Sequence, residues 1–112
     1  MIEVFVEMII RKKVREGNFD LTKHALERMT EREIEIESVL ECILDGKVIE
    51  FQKDRKTQDL KVLFQENSDG KAGIYTVVAA LDTPLIITVC KTKEEVWAWI
   101  DDILKRREAH RR

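Results

Sequence analysis

The feature that most constrains this fold is a change of hydrophobic period at Gly46. Before it, apolar residues recur at helical spacing: Ala25, Leu26 and Met29, then Val39, Leu40, Ile43 and Leu44. After it, they alternate. Val48–Gln52, Leu60–Gln65, Ile74–Leu81 and Leu85–Cys90 read as strands, with Leu60, Val62 and Phe64 sharing one face of the second. Asn67-Ser-Asp-Gly70 and Asp82-Thr-Pro84 are turn chemistry. Links this short cannot carry a parallel crossover, so the strands are expected to form an antiparallel meander of four.

The flanks are read from their caps. Ile2, Val4, Val6 and Met8 alternate like a strand, whereas Ile2, Phe5, Val6, Ile9, Lys13 and Val14 fit a helix. The run RKKVRE and the stop at Gly17 favour a helix over residues 1–16. Thr22 is expected to cap a helix from about Lys23 to Arg32, and a further helix ends at Gly46. Thr92-Lys-Glu-Glu95 reads as a capping box and predicts a C-terminal helix over residues 93–110. On that helix Trp99 lies about 200° from Trp97, so the two cannot face one core. Trp99 is then expected on a contact surface, as in a homodimer or with a partner protein. The reading is one α+β domain over residues 1–112: N-terminal helices packed on a four-stranded antiparallel sheet, with a C-terminal helix.

Composition excludes several classes. With 44% apolar residues in 112, the chain can bury a core and is not disordered. A net charge of −2 argues against broad nonspecific nucleic-acid binding, while leaving room for a local basic site. No apolar run approaches the ~18 residues that span a membrane, and the N-terminal order of acids, apolar run and bases reverses a signal peptide. No membrane contact and a cytoplasmic location are therefore expected. Cys42 and Cys90 sit in apolar contexts, which favours reduced thiols over a disulfide. Two distant histidines give no metal-ligand spacing, and the four glycines form no phosphate loop, so no metal or cofactor is expected.

The chemistry-bearing stretch is Leu21–Arg32, LTKHALERMTER. At 100° per residue His24, Arg28 and Arg32 fall within about 80° of one another. Like charges at i, i+4 repel, so such a stripe needs acidic neighbours or an anionic ligand. Both readings are open. Glu27, Glu31 and Glu33 interleave with the arginines, and Arg28 can pair with Glu31 on a solvated face. Alternatively, His24 transfers a proton near neutral pH while Arg28 and Arg32 clamp phosphate with planar forks. That chemistry needs a second proton-transfer group, for which Tyr75, Glu50 and His110 are the candidates.

The HALERMTER segment, the following isoleucine-led helix and Gly, the extended VIEF and the late strand IITVCK together resemble the DUF4258 family, over roughly Leu21–Lys91. That family has been grouped with RelE/ParE-like toxins and related small RNases, which pack helices on an antiparallel sheet and cleave RNA without a metal. The resemblance implies RNA as ligand, an antitoxin-like protein as partner, and His24, Arg28 and Arg32 as site residues, with Thr88 of the last strand as a fourth. Where an aromatic residue commonly follows the Thr-Val pair, this chain carries Cys90. The alternative is a noncatalytic interaction module of toxin-like descent.

Overall fold

The structure is a computed structural model, and it describes residues 2–67, 73–92, 97–100 and 103–106, the last two stretches by backbone alone. Three helices, α1 (Ile2–Arg15), α2 (Lys23–Glu31) and α3 (Ile36–Asp45), precede the main strands β2 (Lys47–Lys53), β3 (Leu60–Gln65), β4 (Ile74–Ala79) and β5 (Leu85–Lys91). A two-residue strand, β1 (Asp20–Leu21), lies between α1 and α2.

The helix ends follow from local chemistry. Gly17 takes φ +79° beyond α1, and the N–H groups of Gly17 and Asn18 return to the carbonyls of Val14 and Lys13. The same closure ends α2, with Glu33 at φ 54° in the place glycine usually fills and Ile34 N–H donating to Met29 at 2.8 Å. Thr22 caps α2 as expected, its hydroxyl accepting from the Ala25 N–H.

The main strands form an antiparallel meander, β5-β4-β3-β2, as their short links require. The expected count of four is corrected to five. β1 adds to the outer edge of β5 in parallel, Asp20 opposite Leu85 and Leu21 opposite Ile86, so the sheet is mixed. Two residues carry no readable period, and β1 exists because β5 offers it a backbone edge.

All three helices cover one face of the sheet. Ile10 and Val14 of α1, Ala25 and Met29 of α2, and Val39, Cys42 and Ile43 of α3 enter one core with Val62, Phe64, Ile74, Val78, Ile86 and Val89. Burial in this core pushes the Cys42 thiol up to about 12, against hydrogen bonding from Thr76, and Sγ donates to the Phe64 carbonyl at 3.1 Å. Such a thiol is inert packing, not a nucleophile. Both Cys42 and Cys90 are free.

The C-terminal helix over residues 93–110 is also corrected. Strands β6 (Trp97–Ile100) and β7 (Ile103–Arg106) pair antiparallel as a separate hairpin. Trp-Ala-Trp-Ile alternates as well as it spirals, and aromatic residues favour pleated structure. With the helix goes the reason for setting Trp97 and Trp99 on opposite sides. The capping box beyond Thr92, the 68–70 part of the Asn67–Gly70 turn, and His110 lie outside the described residues. No helix of the described residues is long and apolar enough to cross a membrane.

The β2–β3 connection is organised by Asp54. Its carboxylate accepts from the N–H groups of Lys56 (2.8 Å) and Thr57 (2.9 Å) and meets Lys61 at 3.2 Å. The Thr57 and Lys56 amides and Lys61 hold its pKa down from 3.8 to about 2. A lowered folded value means stability present above 3.8 and lost as pH falls towards 2. Asp54→Asn should therefore melt below wild type at pH 6, with the gap closing between pH 4 and 2. A gap independent of pH would exclude the charge as its source.

Candidate functional site

α2 lies across β5 and is fastened to it at both ends. At its start the Thr22 hydroxyl accepts from Ala25 N–H at 2.9 Å and donates to the Ile87 carbonyl at 2.7 Å. At its end Arg32 Nη1 donates to the Val89 carbonyl at 2.9 Å. Both carbonyls sit on the stretch of β5 beyond its pairing with β1, where an edge strand would otherwise leave them unpaired.

The predicted stripe therefore divides. His24 is exposed and Arg28 half-buried on the outer side of α2, while Ala25 and Met29 face the core. Arg28 Nε donates to His24 Nε2 over a long 3.5 Å, and Nη1 donates to Glu31 Oε2 at 3.0 Å. Accepting at Nε2 leaves the neutral ring's proton on Nδ1. The Arg28–Glu31 pair is 39% and 58% exposed, and exposed pairs contribute only ~0–1 kcal/mol. The Arg28 guanidinium is therefore weakly held, and its planar fork has the geometry that pairs with carboxylate or phosphate oxygens. Arg32 differs, because it donates to a part-buried backbone carbonyl of β5, which loses a charged donor if the side chain leaves. Arg28 is thus the available cation, and Arg32 ties helix to sheet.

Thr88 is not brought to this stripe. β4 and β5 slip register between Val77 and Val78: Val78 pairs with Ile86, but Val77 pairs with Thr88, leaving Ile87 as an extra residue. The bulge inverts the alternation, so Ile86 and Val89 both enter the helix-covered core. Thr88 falls on the opposite face with its partner Val77, which packs with Ile49 and Tyr75 around Leu63. Glu50, opposite Leu63, shares that face. Of the three groups considered for the second proton transfer, Tyr75 and Glu50 are thus separated from His24 by the sheet, and His110 is outside the described residues.

Two anchors escaped the sequence reading. Arg11 of α1 donates to the carbonyls of Leu44 (3.1 Å) and Gly46 (2.9 Å), ending α3, while its guanidinium lies 5.5 Å from the Phe64 ring centroid. A basic cluster at a helix end offers no signal distinguishing this part-buried arginine from the exposed Lys12 and Arg15. The Thr22–Ile87 bond escaped because only the bulge exposes that carbonyl.

Among the described residues no group of three or more His, Cys, Asp or Glu is placed to hold a metal ion. Among comparisons with known proteins, a family described as a domain of unknown function, DUF4258, matches residues 21–91, from β1 to the end of β5. No curated protein and no solved structure matches the chain.

Proposed function

Because the chain belongs to the DUF4258 family, a domain of unknown function, its activity has to be argued from the site, and we propose that it binds RNA by backbone phosphate through Arg28, with His24 beside it as the proton-transfer group, as a RelE-like, toxin-type domain that works without a metal. The observation carrying this reading is the exposed His24–Arg28 pair, one cation held only by a solvent-exposed carboxylate beside one imidazole nitrogen. A phosphate on the Arg28 fork releases His24 Nε2 from its long hydrogen bond. That nitrogen is then free to accept a ribose 2′-hydroxyl proton, the first step of metal-independent cleavage. Completing the cleavage requires an acid for the leaving oxygen, and two of its three candidates, Tyr75 and Glu50, lie across the sheet from His24.

A noncatalytic module is the second reading, favoured by the commitment of Arg32 to Val89 and by the separation of Tyr75 and Glu50 from His24. One experiment separates the two. Labelled single-stranded RNA is titrated at several salt concentrations, and total RNA is incubated with excess chelator. Arg28→Ala should weaken binding to all sequences alike and flatten the logarithmic salt dependence by about 0.7, the contribution of one single-strand phosphate contact. His24→Ala should retain binding and abolish chelator-resistant cleavage. Wild-type protein that binds but never cleaves leaves the module reading. Protein that does neither, with ribosomes added, removes RNA from the account.

A further inference from the structure

α1 lies outside the family-matched residues and is amphipathic in an unusual way. Its inner stripe of Val6, Ile10 and Val14 joins the core, and Arg11 locks it to the end of α3. Its outer side is also apolar: Ile2, Val4, Phe5, Met8 and Ile9 are 73, 56, 60, 60 and 51% exposed. Phe5, Met8 and Ile9 line a groove of about 450 Å³ whose far end is Arg11, Lys12 and Arg15. Scattered exposed apolar residues need no explanation, but five on about two turns of one helix form a continuous patch on the order of 500 Å².

We propose that this outer face of α1 is the interface of a homodimer in which two α1 helices pack antiparallel about a two-fold axis. Two such patches together bury on the order of 1,000 Å², the lower bound of a specific interface. The charge pattern favours a second copy in this orientation. Apolar residues occupy the N-terminal half and Lys12 and Arg15 the C-terminal half. Antiparallel packing centred near Phe5 sets Ile2 of each copy beside Ile9 of the other and carries the two cationic ends to opposite extremes. A parallel pair would stack the cations on one another. An isologous contact of this kind closes at two copies and leaves His24 and Arg28, on a different helix, uninvolved.

Sedimentation equilibrium of the full chain from about 1 to 200 µM tests it. Wild type should be a dimer at the upper end. Met8→Glu and Phe5→Glu, both at exposed positions, should each raise the dimer dissociation constant by more than about tenfold, with melting and circular dichroism of the monomer retained. Phe5→Leu should remain dimeric, so that a folding defect in one charged variant is recognised. A wild type monomeric at 200 µM overturns the proposal, as does a dimer that survives both charged substitutions. RNA binding by Met8→Glu should match wild type, which keeps this result separate from the phosphate-site reading.

Discussion

Gly46→Ala is expected to destabilise the domain by more than about 3 kcal/mol, enough to leave a marginal domain of this size substantially unfolded at 37 °C. The cause is space, not dihedral strain, since Gly46 has φ −86°. A Cβ there would lie 1.8 Å from the Gln65 carbonyl oxygen and 2.3 Å from that of Cys42. Both obstacles are backbone, one in β3 and one in α3, and neither can rotate aside. The crowding arises because α3 passes into β2 with no intervening loop, and Lys47 already pairs with Gln65. Gly17→Ala provides the contrast. It has open space around it but φ +79°, so only the left-handed conformation is penalised, by roughly 1–2 kcal/mol. Urea titration of both variants checks this; a Gly46→Ala midpoint equal to that of Gly17→Ala would refute the steric account.

Arg11→Ala is the second large effect, expected at about 2–4 kcal/mol. Removing the guanidinium deprives two part-buried carbonyls at the end of α3 of a charged donor and loses its stacking on Phe64. It also frees Glu7, now 3.1 Å away, but that i, i+4 pair adds only a few tenths of a kcal/mol. Arg11→Lys should recover less than half the loss, because an ammonium cannot span both carbonyls as the fork does. A loss under about 0.5 kcal/mol in Arg11→Ala would mean that water replaces the arginine at no cost. Since Arg11 ties α1 to α3, its loss should also weaken self-association through α1, whereas Met8→Glu should weaken association with little change in stability.

Much of the architecture was legible because it is written locally. The capping hydroxyl of Thr22, the glycine after α1 and the alternation of Leu60–Gln65 each act within a few residues, and each element formed where its own chemistry put it. The C-terminal segment was misread because its cues conflict: a capping box and a helical set of apolar residues against an alternating Trp-Ala-Trp-Ile, which pairs with Ile103–Arg106. The candidate site was half legible. Spacing alone brings His24 to Arg28 and Arg28 to Glu31, because all three share one helix.

What the sequence by itself determined is therefore the three helices before Gly46 and the four main strands after it, their antiparallel meander and the His24–Arg28 pair. These depend on contacts one or two turns, or one tight link, apart. Tertiary structure alone decided the rest. A single extra residue at Ile87 turned Thr88 to the far face of the sheet, and the edge carbonyl of Val89 claimed Arg32 from 57 residues away. A strand's period is readable, but a bulge resets its phase where packing against α2 demands it. An arginine's charge is readable too, but its partner is whichever acceptor the fold has left unpaired.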